Sequence, residues 1–277
     1  MPDFAIKPNP AVLVPVLHED NDLLIINKPA GTVTQPGKGH AFDSLLNGVF
    51  ALHDGLIAKL LHNLGQRRDF GLLHRLDKET SGLLVIAKTP NAYDQLRRDF
   101  EARRVDKEYF ALTAGIPHPK QGVIQARLKE IEVPNPDAKR EGASIKKVVI
   151  SRQGQEAISA YKVLSQTPEN KPPAALVNVA IKTGRLHQIR AHMTFIHCQV
   201  LGDDIYSVPH SEIENRKSKI ENQNYPPPPR LCLHAAHLGF KHPATHQWVH
   251  FRTPLPPDLA TYAAKLGLCH EHLVPRP

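Results

Sequence analysis

Cysteine is scarce in this chain. It occurs three times, at Cys198, Cys232 and Cys269, with no CxxC pair. A dispersed, odd set encodes neither a disulfide framework nor a thiolate zinc site. Aromatic residues make up 6% of the 277 and tryptophan occurs once, which argues against a surface built mainly on base stacking. Apolar runs are short, and none approaches the roughly 20 apolar residues of a membrane span. The nearest signal-type run, Ala11 to Leu17, is broken by Pro15 and follows no basic stretch. The expected location is the cytoplasm, without membrane association. Two motifs are missing as well. There is no GxxxxGK[ST], so Pro36-Gly37-Lys38-Gly39 is not a phosphate-binding loop. HExxH is absent, and His234, His237, His242, His246 and His250 lie among Gly and Pro breaks with no helix-compatible carboxylate ligand. That argues against a metal site.

What is present supports a globular fold. Hydrophobic residues are 41%, enough for a sizeable core, and the length fits one large domain or two small ones. Lys plus Arg number 35 against 27 Asp plus Glu, a formal charge of +8. This hints at a polyanionic partner, although on charge alone a well-solvated basic surface is the simpler reading. The 25 prolines suggest rigid loops, and the 17 histidines have no evident purpose at this stage.

Along the chain, residues 1–15 read as an extended N-terminal segment. Leu23-Leu24-Ile25-Ile26 forms a buried strand entering the turn Asn27-Lys28-Pro29-Ala30-Gly31. Helices are expected over Asp43–Leu52 and Leu56–Leu64. Leu83 to Ala87 reads as a fully buried strand. Thr89-Pro90 then caps a helix over 90–103, with Ala92, Leu96 and Phe100 at spacing four. Tyr109 to Thr113 is the next strand. Residues 117–150 mix Pro, Lys and Glu and read as short strands joined by exposed basic loops. Val177, Val179 and Ile181 alternate with polar or small residues, and a helix follows with Leu186, Ile189, Met193 and Ile196 on one stripe. A proline-rich insertion is expected near 209–230 and a final strand pair over 231–252. Strands dominate without regular βαβ alternation, so the fold class is α+β around a central mixed, largely antiparallel sheet.

Asp69-Phe70-Gly71 and His74-Arg75-Leu76-Asp77 evoke protein kinases, but their order is reversed and HRD is not HRLD. The stretch His74-Arg75-Leu76-Asp77-Lys78-Glu79-Thr80-Ser81-Gly82 instead resembles the HRLDxxTSG motif of the RluA-type pseudouridine synthases. Leu24 to Gly31 resembles that family's "VNKPxG" element, and Lys107-Glu108-Tyr109-Phe110-Ala111 its "K-x-Y-x-A" strand. Gly184-Arg185-Leu186-His187-Gln188-Ile189-Arg190-Ala191-His192 matches "GRxHQ[IL]RxH", and Leu201-Gly202-Asp203-Asp204-Ile205-Tyr206 matches "LGDxxY". Leu233-His234-Ala235 with His242-Pro243 fits the closing "LHA…HP". The order holds over roughly residues 16–255, and the LGDxxY match displaces a two-metal reading of Asp203-Asp204.

The resemblance implies the pseudouridine synthase fold with an active-site cleft, a single catalytic domain over 16–277, and conversion of uridine to pseudouridine in tRNA or large-subunit rRNA after base flipping. No S4-type RNA-binding domain is expected before residue 16. Asp77 is then the catalytic carboxylate, Arg190 its charge partner and Tyr109 the tyrosine beside the uracil. Arg75 is implied as an RNA contact or a filler of the vacated stack. Arg185, His187, Gln188, Lys28 and Lys38 are further candidate RNA contacts, with His74 shaping the site. Neither metal nor organic cofactor is implied, and the expectation is a monomer needing no protein partner. Two alternatives stay open: a catalytically silent RNA-binding module on the same scaffold, and a sugar-bond hydrolase using one carboxylate.

Overall fold

A computed structural model describes residues 6–134, 144–206 and 225–268. Its contacts divide the chain into two compact units, Met1–Lys107 with His234–Pro254, and Glu108–Leu233 with Leu255–Pro277. Most of the proline-rich stretch near 209–230 and the basic residues 135–143 lie outside the described residues, as does Cys269. Among the described residues no helix is long and apolar enough to cross a membrane.

The first unit is organised by two strands that are apolar on both faces. In β2 (Leu23–Lys28), Leu24 and Ile26 face one core cluster while Leu23 and Ile25 face another. The same division holds in β3 (Ser81–Ala87): Leu84 and Ile86 join the first cluster, and Leu83, Val85 and Ala87 the second. A strand with both faces covered reads as a continuous apolar run, which is why Leu23–Ile26 and Leu83–Ala87 show no alternation. The two pair antiparallel from Leu23↔Ala87 to Lys28↔Gly82, with β1 (Val16–Glu19) on the outer edge of β2.

Helices cover both faces. The first cluster is roofed by α1 (Leu45–Ala51) and α2 (Leu56–Leu64), the second by α3 (Pro90–Glu101). The sequence limits hold for α2, while α1 is shorter than 43–52 because Ser44 and Asn47 form a capping box at its start. Thr89 caps α3 by accepting the Ala92 N–H, with Pro90 in the first turn. Strand β9 (Leu233–Lys241) joins β3 in parallel through Ser81↔His234 and Gly82↔Ala235, and β10 (Trp248–Arg252) pairs antiparallel with β9. Gly82 has φ +118, and a Cβ there would lie 2.2 Å from the Ala235 carbonyl oxygen. Only glycine permits that approach.

The second unit is an antiparallel sheet ordered β4 (Asp106–Ala114), β8 (Ala174–Ile181), β7 (Gln155–Gln166), β5 (Gln121–Pro134) and β6 (Ser144–Ile150). It carries α4 (Gln188–Phe195) and α5 (Pro257–Leu266). The short strands expected over 117–150 are corrected: β5 runs for 14 residues, pairing with β7 along its first half and β6 along its second. Its polar residues are the exposed side of long ribbons rather than loops. The mixture of antiparallel strands, one parallel pair and few helices is the α+β class read from the sequence.

Candidate active site

Asp77 is half-buried in the irregular segment leading into β3, and its backbone is held on both sides. On the N-terminal side Thr34 Oγ1 donates to the Leu76 carbonyl at 2.8 Å and accepts the Leu76 N–H at 3.2 Å. On the C-terminal side the Lys78 carbonyl accepts from the Gly31 N–H at 2.9 Å and from Lys28 Nζ at 3.1 Å. The Asp77 carbonyl itself accepts the Thr80 N–H at 3.2 Å, closing the turn. The turn at 28–34 thus clamps the residues on either side of the carboxylate.

This arrangement corrects the reading of Lys28 as an RNA contact. Lys28 is fully buried, and its ammonium donates to three carbonyls, those of Pro29, Thr32 and Lys78. A lysine used in this way shapes the loop and presents no charge to a phosphate. Arg75 and Lys38 are exposed, as an RNA-contact role requires. Lys38 lies in the turn closed by Gly37 and His40, lining a cleft of about 670 Å³ with Phe42 and Phe70.

His74 is held by stacking on Phe100, with centroids 5.2 Å apart, and its Nε2 accepts the Val85 N–H at 3.2 Å. That bond places the proton of the neutral ring on Nδ1. Burial, reinforced by the Lys107 ammonium, pushes its pKa down to about 3. The ring is therefore a neutral spacer at physiological pH, fixing the start of the Asp77 loop against β3.

In the second unit the candidates Arg185, His187, Gln188 and Arg190 lie around the N-terminus of α4. Arg190 is buried and forms a bidentate pair with Asp203, Nε to Oδ2 and Nη2 to Oδ1, each at 2.7 Å. Asp203 Oδ1 also accepts the Ile205 and Tyr206 N–H groups at 3.0 Å. The Arg190 guanidinium lies 5.3 Å from the Tyr206 ring centroid. Tyr206 Oη accepts the Val148 N–H at 2.8 Å and sits 3.2 Å from His187 Nδ1. His187 precedes α4 with φ 48, a left-handed conformation that a non-glycine residue adopts only when its surroundings hold it there.

Gln188 is also corrected. It is buried; its amide nitrogen donates to Ile158 O and Ser159 Oγ, and its oxygen accepts from Thr183 Oγ1 and the Arg185 N–H. With all these bonds made inside the protein, it orients α4 and leaves RNA contact to others. Arg185 is exposed, and its side chain donates through Nε to the Glu156 carbonyl at 3.2 Å. Tyr109 is buried on β4 opposite Val179, with both faces of its strand covered. Three residues that carry much of this geometry, Thr34, Asp203 and Tyr206, had no assigned role in the sequence reading. The last two stood in the matched LGDxxY stretch; Thr34 is an unremarkable loop threonine.

Among the described residues no group of three or more His, Cys, Asp or Glu is placed to hold a metal ion. The histidines near the C-terminal strands separate: His234 Nδ1 lies 2.9 Å from Ser81 Oγ, His242 pairs with Asp20, and His237 meets His250.

Buried His192 and half-buried His74 make stability depend on acid. His192, whose Nδ1 lies 2.9 Å from Ser159 Oγ, has its pKa pushed down by burial to about 4, and His74 to about 3. Both folded values lie below the ordinary 6.5, so the unfolded chain binds about two more protons than the folded chain between pH 6.5 and 4. The stabilisation is complete above pH 6.5 and is lost as pH falls, by about 1.4 kcal/mol per histidine per unit. Urea midpoints measured from pH 7.5 to 4.5 should fall accordingly, and His192→Asn should remove about half of the slope. An unchanged slope in both His192→Asn and His74→Gln would show that other groups carry it.

The model of a family described as RNA pseudouridylate synthase matches residues 22–195. The ribosomal large subunit pseudouridine synthase D of Blochmanniella floridana is 33% identical over 252 residues, covering 91% of this chain and 72% of that protein. An uncharacterized RNA pseudouridine synthase of Bacillus subtilis is 33% identical over 245 residues, covering 88% and 70%. Among solved structures, human RNA pseudouridylate synthase domain containing 4 superposes with a TM-score of 0.63 at 29% identity, covering 92% of this chain and 94% of its own.

Proposed function

Because the chain belongs to the RluA-type family of RNA pseudouridine synthases, and is therefore an RNA-modifying isomerase, we propose that it acts through Asp77 on a uridine in a loop of large-subunit rRNA or tRNA. The observation that carries the assignment is the clamp on Asp77: Thr34 and Lys28 fix the backbone on either side of a half-buried carboxylate. A preorganised carboxylate suits a reaction through an oxocarbenium-like sugar carbon. The N1–C1′ bond breaks, the uracil turns, C5 bonds to C1′, and the C5 proton leaves while N1 gains a proton, which restores the uracil ring.

Tyr109 takes the C5 proton in this reading, and Arg190 is the charge partner of the carboxylate. Arg75 fills the gap that the flipped base leaves, while Arg185, Lys38 and His187 meet the RNA backbone. Flipping costs a few kcal/mol, so a loop or bulge with weak stacking is the favoured target. That one of the relatives above acts, by name, on the ribosomal large subunit favours rRNA. The proposed enzyme is cytoplasmic, monomeric within a single catalytic domain, and needs no cofactor.

The test is to incubate the purified chain with total tRNA and with unmodified large-subunit rRNA, then map pseudouridine nucleotide by nucleotide. New pseudouridine at one or a few sites, without release of free uracil, is expected. Free uracil would identify a hydrolase, and binding without isomerisation a silent RNA-binding module.

A further inference from the structure

The outward face of the β9–β10 hairpin carries an arrangement that the reaction does not use. Alternation in β10 turns Val249 and Phe251 inward, onto the cluster that holds Leu238 and Phe240 of β9. Trp248, His250 and Arg252 therefore point out, opposite Lys241, Gly239 and His237. Trp248 is 53% exposed, yet it is the only tryptophan of the chain. Its ring lies nearly parallel to that of His250, centroids 6.0 Å apart at 14°, and His250 lies nearly parallel to His237 at 5.3 Å and 14°. His237 Nε2 and His250 Nδ1 are 3.1 Å apart, which fixes the two imidazoles as one block. Gly239 makes this possible: a Cβ there would sit 2.9 Å from His250 Nδ1.

The result is a flat aromatic strip with a cation at each end, exposed Lys241 beside Trp248 and exposed Arg252 beside His237. The strip spans about 13 Å along β9 from His237 to Lys241. Its inner end is two residues from Ala235, which pairs with Gly82 in the strand that follows Asp77. Also at that end, Thr253 binds the Ala236 carbonyl through its N–H, and Asn27, next to Lys28, through its hydroxyl.

We propose that this strip is a second RNA-binding site, on which an unpaired base stacks against Trp248 while Lys241 and Arg252 hold the flanking phosphates. Rings aligned side by side between cations, with Trp248 and His250 exposed, are complementary to a single strand, which offers a π-face and a negative charge at each nucleotide. A duplex, whose bases are stacked on one another, offers only the charge. The site rests on the RNA reading above and extends it: RNA flanking the modified uridine is captured here in single-stranded form. Binding at this strip sets affinity, and the chemistry at Asp77 proceeds separately.

The lone tryptophan is its own reporter. Titrating the full chain with a uridine-rich single-stranded oligoribonucleotide should quench Trp248 emission saturably, and a duplex RNA of equal length should quench it far less. Trp248→Ala should weaken binding of the labelled oligonucleotide by about 5- to 100-fold, with Trp248→Phe recovering most of it. Lys241→Gln and Arg252→Gln should each reduce the salt slope of binding by about one. On an unmodified RNA fragment that carries the target uridine, Trp248→Ala should raise KM and leave kcat unchanged. Unchanged emission at saturating RNA, or wild-type affinity in Trp248→Ala with an unaltered melting temperature, would overturn the site. So would quenching by a protein partner with none by RNA. Failure of the Asp77 assignment reads out differently, as pseudouridine formation by Asp77→Asn, with quenching unaffected.

Discussion

Asp77→Asn is expected to form no detectable pseudouridine while folding and binding RNA as the wild type does. The side chain is half-buried and exposed enough that an isosteric amide disturbs little, and the loop around it is held by backbone bonds from Thr34, Gly31 and Lys28. What the amide removes is the negative charge and the nucleophilic or basic oxygen. Loss of a group that acts directly on the reacting atoms costs about 10³-fold or more in kcat. The measurement is single-turnover conversion on the mapped RNA, together with a binding titration and a melting curve. Retained conversion within tenfold would remove Asp77 from the centre of the mechanism. Loss of both binding and folding would instead assign the residue to the scaffold.

Asp203→Ala is the most destabilising single change expected in the second unit. It leaves the buried Arg190 guanidinium without its bidentate partner and two backbone N–H groups, of Ile205 and Tyr206, without their acceptor. Breaking a buried pair from one side costs about 3–5 kcal/mol, because the surviving charge stays out of water. A fall in melting temperature of about 6–20 °C follows for a chain of this size class. The double variant Arg190→Met/Asp203→Leu separates charge from shape. Replacing both members with apolar side chains is expected to recover part of the stability, since the desolvation cost disappears with the charges while the Ile205 and Tyr206 N–H groups stay without their acceptor. Under the role proposed for Arg190, activity should stay lost. Recovery of both stability and activity would show that Arg190 serves only the fold.

Much of the first unit was legible because its signals are local. The unbroken runs at 23–26 and 83–87, the Thr89-Pro90 cap and the helix limits at Leu56 and Leu64 each follow from a few adjacent residues. The family resemblance likewise rests on contiguous motifs. What was not legible depends on partners distant in sequence. Lys28 reads as a basic residue in a turn, and only its burial against the Lys78 carbonyl shows that its charge is used internally. Gln188 differs from a surface glutamine only through Ser159, Ile158 and Thr183. The pairing of Arg190 with Asp203 needed the turn after α4 to return the LGDxxY segment to that helix. The long β5 ribbon escaped notice because its alternating charges, such as Lys129, Glu130 and Glu132, imitate a loop when only one face is covered. The helix at Pro257–Leu266 lies past the last matched motif, although Leu259, Tyr262, Ala263 and Leu266 form an ordinary buried stripe.

The clamp on Asp77 has a consequence for the order of events during folding. Its bonds join residues 42 and 50 positions apart, Thr34 to Leu76 and Lys28 to Lys78. Both sit at the end of the β2–β3 ladder whose last pair is Lys28↔Gly82. Closing such long intervals carries an entropic cost that is met only once the ladder has zipped. The carboxylate loop therefore takes shape late, after the apolar halves of β2 and β3 have found their register. On refolding from urea, recovery of catalysis lags behind recovery of secondary structure, and a chain that has regained its strands is not yet an enzyme.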